Sequence, residues 1–113
     1  MIKETISKLK KGYDELESRN FQKACEIFGE ILEYDSKNAQ AYLGILLAET
    51  RVSNVSQLGD SSPGFSENKN FKKAKEYGDK DLVYALDHYL KKAQKLQKEK
   101  ELQAQEISQR LES

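Results

Sequence analysis

The sequence predicts an all-α fold, and three observations carry that prediction. Apolar residues recur at alternating steps of three and four over most of the chain, the spacing that draws one stripe along a helix. Charged residues make up 34% and hydrophobic ones 37%, with one proline and no tryptophan. Such a composition suits helices with well-solvated outer faces. The third observation is a repeated motif, "NFQKA" at Asn20 and "NFKKA" at Asn70, because a short pattern written twice marks a structural unit built twice. With 113 residues the chain is expected to form one domain around one core.

The elements follow in order. Ile2, Ile6, Leu9, Tyr13 and Leu16 form the stripe of a first helix. After the polar break "SRN", Phe21, Ala24, Ile27, Phe28, Ile31 and Leu32 form a second, packed on the first as an antiparallel hairpin. Asn20 stands where its cap belongs. "DSKN" at Asp35 to Asn38 is the next break, and Ala39, Tyr42, Leu43, Leu46 and Leu47 give a third helix to about Arg51.

Residues 53–69, "SNVSQLGDSSPGFSENK", hold the sole proline and many serines, glycines and asparagines, the composition of a loop. A loop this long needs structure of its own, so a short helical turn is expected near Val55 to Leu58, with Phe65 as a buried anchor. The fourth helix begins at the second motif and ends near Gly78. A fifth follows, with Asp79 or Asp81 at its positive end and Leu82, Leu86, Tyr89, Ala93 and Leu96 as its stripe. Beyond that the pattern thins to Lys100, Gln103, Ile107 and Leu111, a helical but exposed tail.

Gly12, Phe21, Ala24 and Phe28, followed by "LEYDSKNAQAY", resemble a tetratricopeptide repeat. In that family small residues take the eighth and twentieth positions of a 34-residue unit and aromatics the seventeenth and twenty-fourth. Gly12 and Ala24 would let two helices approach, with Phe21 and Phe28 filling the space beside them. The chain departs from the pattern at Lys11 and Glu15, at Ser36 in place of a closing proline, and at Gly78 in place of the second late aromatic. "AYLGILLAE" and the aromatic-containing loop also resemble repeat modules of longer bacterial proteins. The resemblance implies about two hairpins and a long C-terminal capping helix. Repeat 1 spans about 5–38, repeat 2 about 39–78 with the insertion 53–69, and the capping helix and tail 79–113. The fifty residues between the motifs are one repeat period plus sixteen inserted residues.

The resemblance further implies a non-catalytic adaptor that binds a protein or peptide segment on its concave face. The family's ligand positions fall on Ile6, Leu9, Tyr13, Leu16 and Glu17 in the first helix, and on Gln40, Leu43, Leu47, Thr50 and Arg51 in the third. Tyr13, Leu16, Leu43 and Leu47 are the expected contacts, with Glu17 and Arg51 orienting the ligand at the rim. So apolar a stripe could equally be covered by the fifth helix, its tail or another copy of the chain. A structural, oligomerising role for the fifth helix is the alternative reading.

Other readings are weaker. Zero formal net charge gives no general attraction to nucleic acid or anionic lipid. Lys91 to Lys100 holds five lysines but neither arginine nor aromatic residue, so it reads as a solvated face. His88 is the one histidine and Cys25 the one cysteine, which excludes an internal disulfide and a patterned zinc site. Cys25 reads as packing, "NVS" at Asn54 as a chance match to a glycosylation site, and "GDSSPGF" as a surface insertion without the lysine of a phosphate loop. Neither enzymatic activity nor a cofactor is expected. The lack of a long apolar run predicts no membrane insertion and a cytoplasmic location, alone or as the cytosolic part of a larger protein.

Overall fold

The computed structural model describes residues 2–112, which form five α-helices and two 3-10 turns. The helices are α1 (Ile2–Glu17), α2 (Phe21–Tyr34), α3 (Ala39–Thr50), α4 (Lys69–Tyr77) and α5 (Lys80–Glu112), and the 3-10 turns, Val55–Asp60 and Pro63–Glu67, lie in the insertion. The helices pack in chain order, α1 on α2, α2 on α3 and α3 on α4, and α1 also touches α3. One continuous hydrophobic core runs through them.

Phe28 is the centre of that core. Its side chain is fully buried, and Tyr13 meets its ring edge-on at 5.0 Å. Glycines on two other helices make room for it. A Cβ at Gly12 of α1 would stand 2.5 Å from the ring, and one at Gly44 of α3 closer still. Helix-interior glycine costs about 0.5–1 kcal/mol relative to alanine. Here the missing methyls let α1 and α3 close on the two edges of one aromatic side chain.

The caps explain the breaks. Asn38, Asn54 and Asn68 each accept a backbone N–H in the first turn that follows them, satisfying donors that a helix start leaves open. Asn20 does not: its amide donates to the Glu15 carboxylate at 2.8 Å and makes no side-chain cap. The second motif begins inside its helix, because Asn68 is the cap of α4. Asn70 is buried instead and donates to Glu49 Oε1 at 2.7 Å. Gly78 is a turn residue. A Cβ there would come 2.5 Å from the Ala74 carbonyl oxygen, so glycine allows α4 to stop at Tyr77 and Asp79 to accept from the Leu82 N–H at the start of α5.

The insertion is folded, with Phe65 buried and edge-on to Phe71 at 5.6 Å. Its first 3-10 turn lies between α3 and α5 and supplies α5 with more of its packing than α4 does. Leu58 is fully buried. A Cβ at Gly59 would lie 2.8 Å from the Lys92 side chain and 3.2 Å from the Tyr89 ring, so the backbone of the turn rests directly on α5. From residue 97 to residue 110 every side chain is exposed. With its 33 residues α5 is roughly 50 Å long at 1.5 Å per residue, which gives the molecule its 66 × 28 × 18 Å outline.

Candidate partner-binding face

The sequence-predicted face divides into a floor and a rim. Leu16, Leu43 and Leu47 are 0%, 5% and 1% exposed, so they belong to the core and offer no side chain to a partner. This corrects the reading of all three as contacts. The physical reason is that α3 is apolar on most of its circumference, with Ala41, Leu43, Gly44, Leu46, Leu47 and Ala48 all buried. It is the central helix, packed on α1, α2, α4 and the insertion. The neighbouring helices and the insertion supply the cover, whereas α5 packs on the insertion and α4.

What remains at the surface lies on α1 and the edge of α3. Ile6 is 61% exposed, and Leu9 and Tyr13 are half-buried against the core. The Tyr13 hydroxyl donates to the Gln40 carbonyl oxygen at 2.7 Å, tying α1 to the start of α3. Burial pushes that phenol well above its ordinary pKa, so it is a fixed neutral donor. Gln40 and Glu17 are exposed. The Thr50 hydroxyl is turned back to the Leu46 carbonyl oxygen at 2.7 Å, as helix-terminal threonines often are, and is committed to its own helix.

Arg51 lies just past α3 with φ 63° and ψ 43°, and its guanidinium stands 5.4 Å from the centre of the Phe21 ring. Arg19, which the sequence reading passed over, has the same left-handed φ and stands 5.1 Å from the same ring. Nothing in "ESRN" or "ETRV" marks that conformation, since neither carries the glycine usually found at such a helix end.

The remaining chemistry is sparse. Cys25 is half-buried, and desolvation, then the carboxylates of Glu49 and Glu26, push its thiol pKa up, which holds it in the unreactive protonated form. His88 stacks on Tyr84 at 6.2 Å and meets Tyr89 edge-on at 5.1 Å. Among the described residues no cluster of three or more His, Cys, Asp or Glu could hold a metal ion, and no helix is long and apolar enough to cross a membrane. The lysines from 91 to 100 are all exposed, and Lys92 faces Asp60 at 3.8 Å. No protein-family model, curated protein or solved structure matches the chain.

Proposed function

We propose that this chain is a protein-binding module of tetratricopeptide type, non-catalytic, which holds a partner segment along the outer edge of α1 and α3. One observation carries the reading: Ile6, Leu9 and Tyr13 line a strip beside Gln40 whose far side is already closed by the core. A strip with one exposed aliphatic, two half-buried neighbours and polar groups at its edge suits an amphipathic helix or an extended peptide. The order α1–α2–α3–α4, with Gly12, Phe21, Ala24 and Phe28 at their family spacing, supports the tetratricopeptide assignment.

Ile6→Glu is the test, since an exposed position tolerates charge with little effect on stability. A protein retained from native lysate by the wild-type chain should be lost with Ile6→Glu while the circular dichroism spectrum is unchanged. Equal retention by both would sink the assignment of the strip. Leu43→Glu is not a usable probe, because a carboxylate at that buried position would unfold α3 before it reported on binding.

The alternative, an oligomerising role, draws on the tail of α5, where Leu102 and Ile107 are 52% and 59% exposed. Under that reading, light scattering gives a mass above the monomer that falls to the monomer when the chain ends at Lys98. A monomer at micromolar concentration would remove it.

A further inference from the structure

The ends of α1 and α3 are built alike. In α1 the Arg19 N–H donates to the Leu16 carbonyl oxygen at 3.0 Å and the Asn20 N–H to that of Glu15 at 2.8 Å. In α3 the Arg51 N–H donates to the Ala48 carbonyl oxygen at 3.1 Å and the Val52 N–H to that of Leu47 at 3.0 Å. These are two Schellman endings, each with arginine at the left-handed position that glycine fills at least steric cost. An L-residue there is strained, because its Cβ crowds the following carbonyl oxygen. The chain bears that strain twice and brings both guanidiniums within 5.4 Å of the centre of one ring, Phe21.

Three facts separate this pair from ordinary helix-end cations. The chain has three arginines among its 19 basic residues, and two converge here. Among the described residues neither is paired with a carboxylate in the six ion pairs of the fold, so both charges are open to a ligand. Phe21 itself is 8% exposed, so the ring is a fixed platform under two exposed charged groups.

We infer that Arg19 and Arg51, held on Phe21, form a carboxylate-binding site that takes an aspartate or glutamate side chain from within a partner segment. Guanidinium presents planar paired donors that match a carboxylate, and stacking on an aromatic fixes its plane. Two such groups at one ring recognise an acidic side chain more selectively than a diffuse basic surface does. Glu17 and Glu49 each stand two residues before one of the arginines; Glu49 accepts from Asn68 and Asn70, and Glu17, exposed on the last turn of α1, opposes a second carboxylate. The inference rests on the protein-binding reading only for what carries the carboxylate, and its test needs no partner.

The probe is acetylated, amidated tetraglutamate, titrated into the full chain while the arginine side-chain Nε–Hε resonances are followed by NMR. The Arg19 and Arg51 signals should shift together and saturably, with those of Arg110 unchanged. Either Arg19→Gly or Arg51→Gly should weaken the peptide about tenfold while the melting temperature holds or rises, because glycine suits the left-handed backbone. Glu17→Gln should tighten binding, and Ile6→Glu should leave it unchanged, which separates this site from the apolar strip. Uniform shifts at all three arginines, or no saturation, would overturn the inference. Equal binding of tetraalanine with a free C-terminus would overturn the assignment to an internal acidic side chain.

Discussion

Phe28→Ala is expected to remove about 3–5 kcal/mol, a large share of the stability of a domain that holds about 5 to 15 kcal/mol in all. Gly44→Val should be as severe. Phe28 is fully buried where three helices meet, and its ring closes on Gly12 from α1 and Gly44 from α3. A Cβ at Gly44 meets that ring between two packed helices, with no flexible side-chain end to yield. Glycine to alanine within a helix ordinarily gains up to about 1 kcal/mol; Gly44→Ala should lose stability instead. The sign reverses in the Phe28→Ala background, where the methyl fills part of the space the ring has left. Urea midpoints of the four proteins in this cycle give the coupling directly. Gly44→Ala that stabilises the wild type would show that the ring is not clamped by the two glycines.

The same residues show what the sequence revealed and where it stopped. The helix α1, the hairpin break at "SRN" and the anchor Phe65 were legible because each is a local pattern of spacing or composition. Gly12 and Phe28 were legible through their place in a motif that resembles a tetratricopeptide repeat. Gly44 was not, since nothing in "YLGILLAE" says which aromatic side chain, sixteen residues upstream, will press on that position. The rim and floor of the proposed binding face could not be separated for a related reason. Leu43 and Leu47 share a face with Gln40 in the helical pattern, but their burial depends on how many neighbours surround α3, and the insertion is one of them. The two motif asparagines look equivalent in sequence, yet Asn70 is buried on Glu49 while Asn20 is exposed on Glu15. The difference lies in the cap, because Asn68 takes that role for α4 and frees Asn70 to pack. The convergence of Arg19 and Arg51 on Phe21 was invisible because it requires both helix endings to be left-handed.

Leu58→Asp is expected to detach the insertion and release the body-packed part of α5, while the α1–α2–α3 core around Phe28 persists. Leu58 is fully buried, as is Leu86 of α5, and the first 3-10 turn carries more of the packing of α5 than α4 does. A carboxylate at residue 58 has no cation within the core to meet it. Burying it unpaired costs several kcal/mol, and the chain avoids that cost by letting the turn leave its seat. Hydrogen exchange reads the result by segment. Protection should fall across residues 53–69 and 80–96, remain in α1, α2 and α3, and be low along 97–110 in both proteins, since that stretch is exposed already. Leu58→Ala, at about 2–5 kcal/mol, should give the same order of opening with smaller amplitude, which keeps the test intact if the aspartate variant fails to fold. Loss of protection at one common rate from α1 through α5 would contradict it, because the insertion would then be part of a single cooperative unit. The outcome also bears on binding. The insertion is built on α3 and α5, whereas Ile6, Leu9 and Tyr13 stand on α1, so a partner held by that strip should bind Leu58→Ala as it binds the wild type. Weakened binding would place the insertion itself within the partner's footprint.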